Sequence, residues 1–375
     1  MKPITDNNTC RDGSRPYRIF VINPGATSTK LALYENDRAV WMSGAHHSAA
    51  DLVRFHRSTE QYEYRMDFIR RRMQADGIAV GFDAVIGRGG LLSPLPGGVY
   101  RVDEKMKRDL LTAEMDHVCN LGALLADELA QECSCPAFIA DPVVVDEMQT
   151  VARYTGIPGM MRKSVFHALN SKAMARQYAS KAGQRYEDIS VIVAHMGGGI
   201  SVSAHRRGMV IDVNNALDGE GPFSTERAGT LPAGQLVDLC FSGKYTMKQI
   251  KKMIHGHGGL MAYTGTNDMI TIARRAEDGD EPCRTVLDAM LYTVAKQIGA
   301  MHVALHGEEK AVIVTGGIAY SDYCMKRLKA QIDFLAPVVV MPGENEINSL
   351  AYNALCVLTG RIEPKDYSEM CRTGR

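Results

Sequence analysis

The spacing of apolar side chains changes period several times along this chain. Alternation and β-branched runs predict strands at 17–22, 29–34, 84–86, 137–140, 190–194, 200–205, 209–213, 311–315 and 338–341. Helical spacing opens in "KMKRDLL" and carries "NLGALLADELAQE". The longest helical stretch begins near Asp280, where Val286, Leu287, Met290, Leu291, Val294, Ile298 and Met301 recur at helical steps. A stripe of this kind serves as core or as a seam between subunits. Pro282 suits the first turn of that helix and Gly307 its end. Strands alternating with helices indicate an α/β architecture.

One pattern occurs twice. "RIFVINPGATSTKLALYENDRAV" reads as strand, Gly turn, strand, polar turn and strand, and "SVIVAHMGGGISVSAHRRGMVID" passes through the same features. Asn23 ends the first strand of one copy where His195 stands in the other. Two copies, each opening a half rich in strands and helices, imply two similar domains. Within the first copy, "VINPGATSTKLAL" crowds a Gly, several hydroxyls and Lys30 after an apolar run, as a phosphate-binding P-loop does. It lacks the second Gly before the lysine and the hydroxyl after it, and Lys30 leads into the alternating "LALYE" where a P-loop must enter a helix. The turn is therefore expected to close a β-hairpin. Its backbone N–H groups can still converge on an anion, with no helix terminus needed.

Composition narrows the classes. A chain of 375 residues can bury two cores. Lys plus Arg equals Asp plus Glu at 43 each, which argues against a nucleic-acid surface but leaves room for a local phosphate site. No apolar run approaches the roughly 18 residues that a membrane span needs. The amino end, "MKPITDNNTCRDGSRP", is polar and has no apolar segment, so residues 1–16 are expected to form a loose extension and not a signal peptide. The nine cysteines are scattered without a C-x-x-C pair; free thiols in a reducing cytoplasm fit better than a disulfide framework or a zinc site.

These motifs resemble the acetate and sugar kinase, Hsp70 and actin superfamily, and within it the carboxylate kinases of the acetokinase family, nearest to those of butyrate. "VINPGATSTKLAL" is similar to that family's first phosphate hairpin and "VAHMGGGISV" to its second. "VTGGIAYSD" resembles the adenosine-binding turn, "GEGPFSTERAGTLP" the arginine loop and "DPVVVDEM" the interdomain segment. The resemblance runs from about Tyr17 to the end of the chain. It implies a fold of two duplicated actin-like (ribonuclease H-like) α/β domains with an interdomain ATP cleft. The expected boundaries are 17–145 for the first domain, completed by a returning helix in 347–375, and 146–346 for the second.

The implied reaction is ATP plus butyrate giving butanoyl phosphate and ADP, with Mg2+. A carboxylate is deprotonated near neutral pH, so the nucleophile needs no general base. It needs positioning and cationic relief of its repulsion from the γ-phosphate. By the resemblance, Arg88 in "VIGRGGLL" and Arg227 in "STERAGT" are paired arginines of the phosphoryl site, a role that suits a planar, permanently charged, bidentate group. His167 in "KSVFHALNS" would bind the transferring phosphoryl group, and Asp141 would orient magnesium-bound water or the arginines. A turn cap before Pro142 is the competing explanation of Asp141. Glu346 and Asn23 match the magnesium-associated pair, although a carboxylate is also favoured wherever a helix starts. Thr27, Ser28 and Lys30 of the first hairpin, and His195, Gly197, Gly198 and Gly199 of the second, would line the phosphates. Gly316 and Gly317 fit the adenosine turn. Asp268 matches a loop near the ribose, with a helix cap explaining it almost as well.

Two positions depart from the family pattern. Ala26 stands where members commonly carry Ser, and Thr225 replaces the usual Pro, which is expected to loosen the arginine loop. Gly89 and Gly90 stand where acetate kinases carry bulky residues, so they are expected to leave room for a longer acid, with Phe166 as a further candidate for the pocket wall or simply core. Neighbouring acids (propionate, isobutyrate, acetate) remain alternatives. An ATPase switch or a phosphatase on the same fold is the rival of another class. At least a homodimer is expected.

Overall fold

The computed structural model describes residues 15–372. The expected extension therefore lies outside the described residues except for Arg15 and Pro16, and Arg15 is tied to the fold by two 2.9 Å bonds to Asp83. The described residues form two compact units: the chain passes from the first to the second after Val145 and returns to the first at Asn345.

The first unit is built on β1 (Arg18–Gly25), β2 (Ser28–Glu35), β3 (Arg38–His46), β4 (Ala84–Arg88), β5 (Val99–Arg101) and β6 (Ala137–Ala140). The second contains β7 (Ser190–Met196), β8 (Ile200–Arg206), β9 (Met209–Val213), β10 (Val312–Gly316) and β11 (Val338–Pro342). A short β12 (Lys365–Asp366) returns to the edge of the first sheet, beside β5. The sheet orders are β12-β5-β6-β4-β1-β2-β3 and β11-β10-β7-β8-β9.

The sequence repeat is a repeat of topology. In each sheet an antiparallel three-strand meander (β1-β2-β3 and β7-β8-β9) is extended by a parallel strand beside its first member. Even the irregularity is shared: the pairing of the second strand with the third slips at Leu33/Tyr34 in one copy and at Ala204/His205 in the other. The expected strands all occur, while β3 is longer than its apolar pattern suggested and β5 and β12 carried too few residues to show a period.

Helices cover the sheets. Asp103 caps Glu104–Thr112 by accepting from the Met106 N–H at 2.7 Å, which starts the helix heralded by "KMKRDLL". Leu121–Cys133 buries Leu121, Leu125 and Leu129 against the first sheet. The long helix Glu281–Ala304 starts at its Asp280 cap with Pro282 in the first turn, and the chain leaves it through Gly307 at φ 71°. Its stripe of Leu287, Met290, Leu291, Val294, Ile298 and Met301 is wholly buried in the core of the second unit, so it is core and not a subunit seam. The helix Glu346–Leu358 brings the chain back to the first unit, packing on β1 and β4 through Leu350, Ala351 and Ala354. Glu346, expected at the end of the second domain, is thereby the first helical residue of this returning segment.

Candidate active site

The predicted residues fall into two groups, one on each unit. In the first unit, β1 and β4 are parallel with Ile22 opposite Gly87, so Asn23 and Arg88 emerge side by side at the strands' carboxyl ends. Both reach Glu346. Asn23 Nδ2 donates to Glu346 Oε2 at 2.8 Å, and Arg88 Nη1 donates to the same oxygen at 3.1 Å. Asn23 and Glu346 are buried, and Asn23 Oδ1 has no partner among the described residues. A buried orphan acceptor beside a carboxylate is costly unless something else binds it. Among the described residues no group of three His, Cys, Asp or Glu could hold a metal. The amide oxygen of Asn23 with the Glu346 carboxylate fits Mg2+ nonetheless, because that ion keeps most of its waters and takes only one or two protein carboxylates.

Asp141 follows β6 and is buried in a left-handed conformation, φ 38°, which is uncommon for a residue other than Gly. Its Oδ1 accepts the Gly98 N–H at 2.8 Å, and its own N–H donates to Gly98 O at 2.9 Å. The carboxylate thus holds the turn before β5. Strain of about 1–3 kcal/mol is kept here by the surrounding contacts.

The hairpin of β1 and β2 closes through Ala26 and Thr27, with Gly25 paired to Ser28. No residue of this turn has positive φ among the described residues. A Cβ on Gly25 would lie 2.8 Å from Ser28 Oγ, so a larger residue there would turn that hydroxyl aside. Thr27 and Lys30 are exposed and Ser28 is half-buried.

Gly89 and Gly90 do not open a pocket. A Cβ at Gly89 would meet Pro142 Cβ at 2.5 Å, and one at Gly90 would meet Asn120 Cα and Leu110 Cδ2 at 2.7 Å. The missing side chains are taken up by close packing of this loop on its own unit, so the expected extra room is absent there. Phe166 is likewise buried, at 3% exposure, and belongs to the second unit.

In the second unit, His167 stands just before the helix Ala168–Lys181, and its Nδ1 lies 3.0 Å from Ser201 Oγ on β8. Its ring stacks on that of His195, with centroids 3.9 Å apart and 13° between planes. His195 is buried near the end of β7, where it pairs with Thr315 of β10. A chain of hydrogen bonds assigns its proton. Thr315 Oγ1 donates to Gly343 O at 3.0 Å, so it can only accept from Asn170 Nδ2, at 3.4 Å. The same amide nitrogen donates to His195 Nδ1 at 2.8 Å. Nδ1 is thereby the acceptor and Nε2 carries the proton, 3.7 Å from Glu344 Oε1.

Arg227 lies against the glycine turn. A Cβ on Gly199 would fall 2.1 Å from Arg227 Nη1, so only Gly admits the guanidinium. Nη1 donates to Ala216 O at 2.6 Å, while Nε is buried without a partner. Burial pushes the Arg227 pKa down, partly offset by Glu226. Such a cation gains from any oxyanion placed beside it. The loop carrying it is pinned, contrary to the expectation for Thr225. Thr225 is buried and its carbonyl accepts the Met261 N–H at 2.8 Å, while Ser224 Oγ donates to Gly198 O at 2.6 Å and accepts the Arg227 N–H at 3.1 Å. These bonds supply the rigidity that a proline would have given.

Gly316 has φ 91°, and a Cβ on it would strike Met196 O at 2.4 Å; Gly317 faces open space. Gly316 is thus required by the chain itself, and Gly317 leaves room for a ligand. Asp268 proves to be a helix cap. It is exposed and accepts from the Ile270 and Thr271 N–H groups at 3.2 Å each, and the Thr271 hydroxyl first, with these N–H groups, holds its carboxyl below the usual range.

Sequence reasoning missed Asn170, Thr315 and Glu344. Asn170 carried a usable signal, being one helical turn beyond His167 on the same face. Thr315 and Glu344 reach His195 through sheet pairing and a returning loop, which leave no trace in local spacing.

A family model described as the acetokinase family matches residues 153–350. A protein of Phocaeicola vulgatus described as a probable butyrate kinase is 64% identical over 350 residues, covering 93% of this chain and 99% of that one. Another of Bacteroides thetaiotaomicron with the same description is 52% identical over 351 residues, covering 93% and 99%. Among solved structures, an acetate kinase of Porphyromonas gingivalis superposes with a TM-score of 0.76 at 17% identity, covering 91% of this chain and 100% of that one. A propionate kinase of Francisella tularensis gives 0.70 at 18%, covering 90% and 98%. At such identities these two show the fold alone, the actin-like α/β fold that the repeated sheets embody.

Proposed function

This chain belongs to the acetokinase family, and we propose that within it the chain is a butyrate kinase, converting butyrate and Mg-ATP reversibly into butanoyl phosphate and ADP. The choice of acid is carried by the relative 64% identical that is described as a probable butyrate kinase. The chemistry is supported by the buried Arg227, whose Nε has no protein partner beside the Gly turn.

In this reading a butyrate oxygen attacks the γ-phosphorus in line. The new O–P bond forms as the bond to the bridging oxygen breaks, and the electron pair leaves on ADP. No proton moves, because the acid is already ionised. Arg88 and Arg227 offset charge on the equatorial oxygens. His195 offers its Nε2 proton as a hydrogen-bond donor, and His167 a second ring nitrogen. Asn23 Oδ1 and Glu346 would hold Mg2+, which when bound supplies neutralising charge to the β- and γ-phosphates. Thr27, Ser28, Lys30 and the glycines 197–199 receive the phosphates, and Gly317 the adenosine. Asp141 acts by holding its strained turn, and Asp268, while capping its helix, lies near the ribose.

Self-association into at least a homodimer belongs to the same reading, as does a cytoplasmic setting, in keeping with the free state of the cysteines among the described residues. No helix among the described residues is long and apolar enough to cross a membrane.

Acyl phosphate formed with Mg-ATP and trapped by hydroxylamine tests the proposal across acetate, propionate, butyrate, isobutyrate and valerate. A maximum in kcat/KM at butyrate is expected. A maximum at another acid would retain the carboxylate kinase and change its substrate. ATP hydrolysis without any acyl product would favour the ATPase or phosphatase reading.

A further inference from the structure

A guanidinium lies buried behind the first hairpin turn. Arg65, on the helix Tyr62–Ala75, is 0% exposed, yet among the described residues no carboxylate pairs with it. Its N–H groups go to neutral oxygens. Nη1 donates to Ser28 O and to Thr29 Oγ1, both at 2.8 Å. Nη2 donates to Gly25 O at 3.1 Å, Ala26 O at 3.3 Å and Gln61 Oε1 at 2.8 Å. Nε donates to Gln61 Oε1 at 3.0 Å. Burial lowers its pKa to about 10, which leaves it charged at neutral pH.

The remaining carbonyl of the turn is also taken. Thr27 O accepts the His47 N–H at 2.7 Å and lies 2.7 Å from His46 Nδ1. Every carbonyl from Gly25 to Ser28 is thus drawn onto a donor. The Ala26 and Thr27 N–H groups, in contrast, meet no acceptor among the described residues. Thr29 relays the arrangement, since its hydroxyl receives Arg65 and pairs with His47 Nε2 at 2.8 Å. Burial first, then the Arg65 charge, lower the pKa of His47, with Asp51 opposing and His46 adding to the effect.

We propose that Arg65 is a positioning residue for the nucleotide phosphates: it holds the turn's carbonyls inward, so that the outer face presents N–H groups backed by a buried positive charge. This rests on the reading that the turn meets the phosphates of ATP. It explains how a turn with neither a left-handed glycine nor a helix terminus binds an anion. It also gives the uncompensated cation its counter-ion, since burying a charge unpaired is expensive and a bound phosphate relieves the cost.

The test compares the full-length wild type with Arg65→Lys, Arg65→Gln and Gln61→Leu by calorimetric titration of pyrophosphate, Mg-ATP and adenosine. Trp41 on β3 reports by fluorescence whether the sheet is intact. Arg65→Gln and Arg65→Lys are expected to weaken pyrophosphate and ATP by about tenfold or more, while adenosine changes less than about twofold. Gln61→Leu keeps the charge but removes its tether, and should weaken the same two ligands to a smaller extent. It carries the test if the Arg65 variants fail to fold. Wild-type affinity for pyrophosphate in a folded Arg65→Gln or in Gln61→Leu, or an equal loss for adenosine, would overturn the proposal. If the wild type binds neither pyrophosphate nor ATP, the kinase reading falls with it; if it transfers phosphate while the variants bind normally, only the role of Arg65 falls.

Discussion

At the scale of single residues, the glycines teach most. Gly199, Gly89 and Gly90 look alike in sequence, each in a run of glycines near a candidate arginine, yet they do different work. Gly199 makes space for the Arg227 guanidinium, which a Cβ would approach to 2.1 Å. Gly89 and Gly90 let backbone pack on Pro142, Asn120 and Leu110. Because Arg227 is a flexible side chain, Gly199→Ala should push its guanidinium aside without disturbing the fold. Steady-state kinetics should then show kcat lowered about 100-fold, with a nearly unchanged melting temperature. Normal turnover in Gly199→Ala would mean that this arginine position is not the productive one. The family resemblance of their motifs, and not residue type alone, nominated Arg88, Arg227, His167 and Asn23. It could not separate Asp268, which caps a helix start, from Asp141, which holds a strained turn.

At the scale of elements, the second meander carries a buried titratable group with no place in the proposed chemistry. His205 on β8 is wholly buried, with Tyr186 Oη 2.7 Å from Nδ1 and Ser203 Oγ 2.8 Å from Nε2. Burial first, then the charges of Lys172 and Arg176, lower its pKa well below the ordinary value. The unfolded chain binds a proton near pH 6.5 that the fold refuses, so this contribution to stability is full above that pH and is lost as the pH falls below it. The slope is up to about 1.4 kcal/mol per pH unit. His205→Gln, which keeps neutral hydrogen bonding, should flatten that dependence in urea unfolding between pH 7.5 and 5.5 by about that amount. Parallel curves for wild type and variant would refute it. Strand and helix positions were legible because periods of two and 3.6 are local; the neighbours that set the titration of His205 come from other elements and were not.

For the molecule as a whole, apolar surface has been sorted in a way the sequence pattern did not anticipate. The long helix that read as a candidate seam is core, whereas the apolar helix Ala233–Phe241 buries none of its residues. Val237 is 55% exposed, Phe241 87% and nearby Met247 75%. Apolar groups exposed along a helix suit association, and the proposed self-association is assigned to this helix. Phe241→Glu with Val237→Glu should lower the mass in sedimentation equilibrium from dimer or larger toward monomer. An unchanged mass would place the seam elsewhere.

The sequence by itself determined the class of fold and its duplication, and its family resemblance named the candidate reacting groups. Alternation, helical spacing and repeated turn motifs are local, and the residue types that bind phosphate are few. Tertiary structure decided what each group is free to do. Only the parallel pairing of β1 with β4 and the return of the chain at Glu346 join Asn23, Arg88 and Glu346 on one carboxylate oxygen. Only the pairing of β7 with β10 and the approach of the helix Ala168–Lys181 assign the proton of His195. And Arg65, which reads in "YEYRMDFIRRRM" as one more solvated cation, becomes a buried anchor because its helix packs behind a turn distant in the chain. Hydrogen-bond saturation and burial depend on contacts between segments far apart in sequence, and these exist only once the chain is folded.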